Sequence, residues 1–148
     1  MYYRINHIAV WVLILAQQLT GYLWYSPVLF GDLWRSGLGK SEVAGGGAAA
    51  YVFAFAGSVA LTYFMAWLYQ RLNLKSIGAA LIVAVMVWGS IGFLVPATYD
   101  LFRGVPFGVT CIDTGKTFFD MMIIALVLSV WKKSLHYSRR RKKSIRPR

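Results

Sequence analysis

The most restrictive feature of this sequence is the stretch Cys111 to Trp131, CIDTGKTFFDMMIIALVLSVW. It is apolar and long enough to cross a bilayer, which takes about 20 helical residues. It nevertheless contains Asp113, Lys116 and Asp120, which fall within roughly a 60° arc of a helix. Thr117 lies beside this arc. Because ionised groups facing lipid are costly, the arc should face protein or water, and the other apolar segments are expected to gather around it.

The composition indicates a membrane protein. Of the 148 residues, 58% are hydrophobic and 14% are charged, compared with about 25% charged residues in soluble proteins. The net charge of +11 would suit a nucleic-acid binder, but nine of the sixteen Lys and Arg residues lie in the tail 132–148. A soluble nucleic-acid binder spreads its basic residues over a folded surface. Nucleic acid is therefore not expected as a partner.

Residues that could hold a metal or a cofactor are few. Cys111 is the single cysteine, which excludes an intrachain disulfide and a cysteine-ligated metal site. His7 and His136 lie at opposite ends of the chain, so a haem held by two histidines within the membrane is disfavoured. No metal or cofactor is expected.

Four apolar segments are predicted to span the membrane, at about 5–25, 48–70, 77–97 and 109–131. They predict an all-α membrane protein, a four-helix transmembrane bundle followed by the basic cytoplasmic tail 132–148. The first segment could be a signal peptide, but no small-x-small cleavage site follows it, so we expect a retained span. Its polar residues Gln17, Gln18 and Thr20 are expected to face a neighbouring helix.

The stretch Gly21 to Trp34 has the composition of a membrane–water interface. Proline lacks an N–H and restricts the residue before it, so it is expected to end the first helix here. Amphipathic aromatic rings prefer the interface, and a shaped lid or ligand-binding surface is the alternative interpretation. The residues of this interfacial motif are Trp24, Tyr25, Ser26, Pro27 and Trp34.

Small residues recur at every fourth position of the second span and predict close helix packing. This ridge consists of Ala50, Ala54, Ser58, Thr62 and Ala66. In the third span, Gly89, Gly92 and Pro96 predict a kink or early termination.

The basic residues predict the orientation. With both termini cytoplasmic, twelve Lys and Arg residues lie inside (Arg4, Arg71, Lys75 and the nine of the tail) and three lie outside (Arg35, Lys40 and Arg103). This positive-inside bias predicts a multi-pass protein of the cytoplasmic (inner) membrane. The tail's basic run either contacts an anionic leaflet or serves as a solvated topology signal; it consists of Arg139, Arg140, Arg141, Lys142 and Lys143.

Several motifs resemble those of the bacterial domain of unknown function 1761 family. The first is Gly21-x-x-Trp24-Tyr25-Ser26-Pro27-x-Leu29-Phe30-Gly31-x-x-Trp34; the second, looser set is Trp88-Gly-Ser-Ile-Gly-Phe, Leu101-Phe102-Arg103-Gly104 and Ile112-Asp113-x-Gly115. The resemblance covers most of residues 8 to 131 and implies a four-span integral membrane protein of unassigned function. The family tends to have a neutral residue where Lys116 stands and a less charged position near Asp120.

Two classes of function remain open. The first is an interaction, accessory or self-assembling subunit whose partners are membrane lipids and either itself or another membrane protein. The second is a small-solute transporter, channel or proton relay, since ionisable residues inside a membrane commonly line such paths. An enzyme acting on a lipid is less favoured, because no nucleophile–base pair is visible. The candidate polar or relay residues are Asp113, Lys116, Thr117, Asp120, Gln17 and Gln18.

The depth of Asp120 gives a specific expectation. It lies about 11 residues, or roughly 16 Å, into the fourth span, near the middle of a hydrocarbon core of about 30 Å. The antiparallel first span brings Gln17 and Gln18 to a similar depth. We therefore expect Asp120 to face the bundle interior, to accept hydrogen bonds from these amides and to be compensated by Lys116.

Overall fold

The computed structural model describes residues 5–39, 47–74 and 76–131. These residues are helical and include no strand. The elements are α1 (His7–Trp24), α2 (Gly31–Gly37), α3 (Gly47–Arg71), α4 (Ile77–Val87), a π-helical segment (Trp88–Leu94), α5 (Val95–Phe102) and α6 (Phe107–Val130). Arg4, Lys40, Lys75 and the tail from Lys132, with its run Arg139–Lys143, lie outside the described residues.

Among the described residues, three helical runs are long and apolar enough to cross a membrane: His7–Trp24, Gly47–Arg71 and Ile77–Phe102. The prediction of an all-helical fold with several helices suited to a membrane is confirmed to this extent. The 24-residue helix α6 is also of sufficient length, but it carries Asp113, Lys116 and Asp120. Its composition alone therefore does not mark it as a span.

The chain turns sharply after α1. Helix α1 begins at Asn6, whose side-chain oxygen accepts a hydrogen bond from the Ala9 amide, and it ends at Trp24, three residues before Pro27 as expected. Gly31 then packs against the preceding backbone, and an added Cβ there would lie 2.3 Å from the carbonyl oxygen of Tyr25. Only glycine fits this turn without movement of the chain.

The third apolar run does not stop near residue 97 as expected but continues to Phe102. Pro96 lies in the first turn of α5, where the missing N–H costs little. Gly89 and Gly92, which precede Pro96, lie within the π-helical segment. In this segment the Ser90 hydroxyl donates to the carbonyls of Met86 and Val87. The kink-prone residues thus change the helix type rather than end the helix.

Helix α6 is the centre of the bundle and contacts α1 to α5 and the π-helical segment. We call the end of the bundle that holds Ile5, Arg71, Ile77 and Trp131 the tail end, and the opposite end the loop end. Most of the buried apolar core lies toward the tail end. It includes Val10, Leu13, Ile14, Met65, Ala84 and Ile124, whereas the buried polar residues Gln17, Thr62, Asp100, Thr110, Thr114 and Asp120 lie from the middle to the loop end.

The ridge of small residues on α3 is buried over only part of its length. Thr62 and Ala66 are buried, and Ser58 accepts a hydrogen bond from Gln18 of α1. Ala50 and Ala54 are exposed, as is every residue from 47 to 57. The first third of α3 therefore leaves its small-residue face outside the bundle.

Candidate functional site

The centre of the candidate site is an ion pair on α6. Lys116 and Asp120 lie one helical turn apart, and Lys116 Nζ contacts Asp120 Oδ2. The two side chains are 16% and 6% exposed, respectively. A charge pair this far from water is stable only if further hydrogen bonds satisfy the remaining donors and lone pairs.

Helix α1 provides these hydrogen bonds. The Thr20 hydroxyl donates to Asp120 Oδ1 over 3.1 Å, and Lys116 Nζ donates to the backbone carbonyl of Gln17 over 3.2 Å. The lysine side chain passes over Gly21, where an added Cβ would lie 3.5 Å from Lys116 Cε. The pair therefore joins α6 to α1 through both a side chain and a carbonyl.

Neither glutamine amide donates to Asp120, contrary to expectation. Gln17 Nε2 donates to Thr62 Oγ1 over 2.7 Å and to the Leu13 carbonyl over 3.2 Å, while Gln18 Nε2 donates to Ser58 Oγ over 2.9 Å. Helical side chains lean toward the N-terminus of their helix, which carries the long Gln17 side chain back toward Leu13. The shorter Thr20, nearly one turn further along, takes the place beside the carboxylate.

Asp113 belongs to a separate cluster at the loop end. The Tyr25 hydroxyl donates to Asp113 Oδ1 over 2.8 Å, and the ring of Trp34 packs edge-on against Tyr25 with 5.2 Å between centroids. Burial, together with the neighbouring carboxylate, raises the pKa of Tyr25 above its usual range, so the phenol remains a donor. The buried Trp34 Nε1 faces the same carboxylate without making a hydrogen bond.

Two tryptophans hold α6 from different neighbouring elements. Trp24 Nε1, at the end of α1, donates to the Ile112 carbonyl over 3.0 Å. Trp88 Nε1, in the π-helical segment, donates to the Thr114 carbonyl over 2.8 Å. Gly115 faces the Trp24 ring, and an added Cβ there would lie 3.4 Å from it, in ordinary van der Waals contact. These indoles act as packing and hydrogen-bonding groups inside the protein.

Thr117 is not part of the ion pair. It lies about 100° around α6 from Lys116, and its methyl group faces the π-helical segment, 3.5 Å from where a Cβ of Gly92 would stand. Its hydroxyl donates to the Asp113 carbonyl over 3.5 Å. Of the interfacial motif, Ser26 donates to the Leu23 carbonyl in the turn that contains Pro27.

Sequence reasoning missed a second acidic cluster at the loop end. Asp100 of α5 accepts a hydrogen bond from Thr110 of α6 over 2.9 Å and forms an ion pair with Arg103. A signal was present, since Asp100 and Arg103 are spaced for a helical ion pair. Thr20 likewise follows Gln17 by three positions, which places both on adjoining parts of one helix face.

The arrangement is suited to holding helices together. Across residues 5–39, 47–74 and 76–131, no three His, Cys, Asp or Glu side chains come together as a metal-binding group. The Lys116 and Asp120 charges compensate each other, and each also bonds to α1. The site thus consists of an ion pair whose two charges neutralise each other and whose hydrogen bonds fix α6 against α1. The Tyr25–Asp113 contact lies nearer the loop end.

A protein-family model matches most of the chain. The family model described as "Protein of unknown function (DUF1761)" matches residues 8–129. No curated protein and no solved structure matches the chain.

Proposed function

The chain belongs to the DUF1761 family of proteins of unknown function, and we propose that it is a four-span membrane protein that acts as an interaction or accessory subunit. In this proposal α6 is the fourth span and both termini are cytoplasmic. The excess of twelve basic residues over three supports that orientation. The partner is a second copy of the chain or another membrane protein.

The observation that carries this proposal is the internal compensation of the ion pair. Lys116 and Asp120 bond to each other, to Thr20 and to the Gln17 carbonyl. Such a pair makes Lys116 and Asp120 compatible with a bilayer, provided that α1 lies against α6, while Asp113 at the loop end accepts a hydrogen bond from Tyr25. Its role is then to set which face of α6 is buried, and the protein acts through its outer surface.

That outer surface includes most of the three apolar runs. In the apolar 18-residue window of each run, 28%, 17% and 11% of the residues are buried. Bulky side chains on the first third of α3 are exposed, including Tyr51 at 76% and Phe53 at 78%. Lipid alone satisfies such surfaces, but small residues beside bulky ones also allow another helix to approach closely. This gives the protein lateral area for a partner helix.

A proton relay through α6 is less well supported. A relay needs polar groups or water along its whole length, from one side of the membrane to the other. The polar groups at the described positions reach from Tyr25 and Asp113 to Gln17 and Thr62. Beyond them toward the tail end, the buried side chains next to Gln17 and Thr62 include the apolar ones of Leu13, Met65 and Ile124. The buried Tyr69 hydroxyl donates to the Ala80 carbonyl and not to this polar group, so the described contacts do not form a continuous path for a proton.

Photo-crosslinking in native membranes tests the proposal. A photoreactive residue is placed at one exposed position on each span: Leu19 of α1, Phe53 of α3, Ile82 of α4 and Leu126 of α6. An interaction subunit gives a discrete protein adduct, either a dimer of this chain or one defined heavier species, from at least one helix. Lipid adducts alone at all four positions would contradict the proposal.

Measurement of proton flux in sealed vesicles is the second test of the proposal. Asp120→Asn keeps a hydrogen-bond acceptor for Thr20 but cannot exchange a proton. The interaction role predicts the same crosslinked adduct and no change in flux for this variant. A loss of proton-linked flux in a protein that still crosslinks and folds normally would favour the relay instead.

A further inference from the structure

We propose that the loop-end cluster of Tyr25, Trp34 and Asp113 binds the ammonium group of a primary amine. The three residues come from the turn after α1, from α2 and from α6. Tyr25 and Trp34 also belong to the interfacial motif of the sequence, for which a ligand-binding surface is one interpretation. The cluster is separate from the ion pair of Lys116 and Asp120, and the proposal does not depend on the interaction role.

Asp113 differs from the other acidic residues that the structure describes. Asp32, Asp100 and Asp120 each form an ion pair with a basic residue three or four positions away in the chain. Asp113 forms no ion pair in the described part of the chain, and its hydrogen bond comes from the neutral hydroxyl of Tyr25. A neutral donor satisfies a lone pair but leaves the negative charge uncompensated.

The cation closest to Asp113 in the sequence is already engaged. Lys116 follows it by three positions, a spacing at which side chains of a helix can meet. Lys116 Nζ instead contacts Asp120 and donates to the Gln17 carbonyl over 3.2 Å. The charge of Asp113 is therefore available to a cation from outside the chain.

The second carboxylate oxygen of Asp113 is open to such a ligand. Oδ1 accepts the Tyr25 hydroxyl over 2.8 Å, whereas Oδ2 makes no hydrogen bond within the described residues. Among those residues, Trp34 Nε1 is the only side-chain polar atom that is both buried and without a partner. Oδ2 is therefore not sealed inside the protein, and it can accept an N–H from a ligand that arrives from solvent.

Aromatic rings lie beside this oxygen. The rings of Tyr25 and Trp34 are 5.2 Å apart between centroids and meet edge to face, and both residues are partly exposed. Helix α2 holds Trp34 close to α6, since an added Cβ on Gly37 would lie 2.5 Å from Val109 Cγ2. The rings are thus in place before a ligand binds, and electron-rich ring faces attract a cation.

These features select a primary ammonium over other ligands. An anion is repelled by the carboxylate, and Ca²⁺ takes about six or more oxygen ligands, whereas no group of three metal-binding side chains occurs in the described part of the chain. A primary ammonium has N–H donors for Oδ2 and a positive charge for the rings. A quaternary ammonium has no N–H to donate. Two sources carry the group: a dissolved amine and the headgroup of phosphatidylethanolamine.

Titration calorimetry on the full-length protein in phosphatidylcholine nanodiscs tests the site. The probe is ethanolamine, and ethylene glycol is the neutral probe of similar size. We expect the wild type to bind ethanolamine and not ethylene glycol. Because this comparison uses only the wild type, it decides the proposal even where a variant fails to fold. Absence of ethanolamine binding, or equal binding of both probes, would overturn the proposal.

A matched pair of variants assigns the binding to Asp113. Asp113→Asn keeps an acceptor for Tyr25 but loses the charge, and it should bind ethanolamine at least about tenfold more weakly. Asp32→Asn is the control, because Asp32 is also at the loop end but is 75% exposed and paired with Arg35. It should bind ethanolamine within about twofold of the wild type. Equal weakening by the two substitutions would reject the cluster as the site.

Exchange of the lipid separates the two sources of the ammonium group. If the headgroup of phosphatidylethanolamine occupies the cluster, nanodiscs of that lipid should weaken ethanolamine binding to the wild type at least about tenfold. If a dissolved amine is the ligand, binding should be the same in both kinds of nanodisc. Either result supports an ammonium site, whereas loss of binding in Asp32→Asn alone would contradict it.

Discussion

Removing one member of the ion pair should destabilise the protein far more than removing both. In Asp120→Leu, Lys116 keeps its charge but loses its carboxylate, and its side chain is only 16% exposed. Breaking a buried pair in this way costs about 3–5 kcal/mol. We expect the lower end of that range, about 3 kcal/mol, because Lys116 retains its bond to the Gln17 carbonyl.

The double variant Lys116→Met/Asp120→Leu separates pairing from packing. Replacement of a buried ion pair by apolar residues of similar volume is often neutral. Thr20 then loses its acceptor on Asp120 but still donates to the Gln17 carbonyl. We therefore expect the double variant to lose about 1 kcal/mol, which is less than either single variant loses. The coupling energy of the two residues is then more than about 3 kcal/mol.

The free energy of unfolding in mild detergent, titrated with denaturant, measures this cycle. Asp120→Asn is the control, since it removes the charge but keeps an acceptor for Thr20, and it should lose about 1–2 kcal/mol. If the two single substitutions are additive within about 0.5 kcal/mol, the residues are independent. That result would refute the mutual compensation of the two charges.

Three further predictions concern the loop end. Gly31→Ala should lower the melting temperature, because its Cβ would meet the Tyr25 carbonyl at 2.3 Å, whereas Gly21→Ala should be tolerated at 3.5 Å from Lys116 Cε; equal effects in a thermal scan would contradict this. Trp24→Phe and Trp88→Phe should each cost about 1 kcal/mol of unfolding free energy, since each loses an indole hydrogen bond to α6, and an unchanged midpoint for both would count against the contacts. Because the pKa of Tyr25 is raised, the phenol ionises above about pH 10 in the unfolded chain but not in the folded protein. The unfolding free energy of the wild type should therefore fall as the pH rises above about 10. The unfolding free energy of Tyr25→Phe should fall less over the same pH range.

The sequence predicted the position of the polar site better than its contacts. Helical periodicity placed Asp113, Lys116 and Asp120 on one arc, and the cost of charge in lipid predicted that the arc is covered. Periodicity does not say which residue of a neighbouring helix comes nearest, because that depends on helix crossing and side-chain length. Thr20 therefore takes the place that was expected for Gln17 or Gln18.

The same limit applies to α3 and to the third apolar run. A ridge of small residues allows close packing but does not specify where along it a partner lies, so Thr62 is buried and Ala50 is exposed. Pro96 was expected to kink or end the third helix, but it lies in the first turn of α5, directly after a π-helical segment. No local sequence pattern predicted that segment. Helix α2 was also not expected. It follows the turn at Pro27, and its seven residues form only about two helical turns, which is too short for a hydrophobic periodicity to be recognised.

The central claim is that α6, despite its three ionisable residues, crosses the membrane inside the bundle. Accessibility of single cysteines on the two sides of α6 tests it most directly, in a Cys111→Ser background. Phe102→Cys lies at the loop end, where Phe102 is 89% exposed, and Ser144→Cys lies in the tail. In sealed vesicles of known orientation, a membrane-impermeant maleimide should label Phe102→Cys from the periplasmic face only and Ser144→Cys from the cytoplasmic face only. Labelling of both cysteines from the same face would show that α6 does not span the membrane.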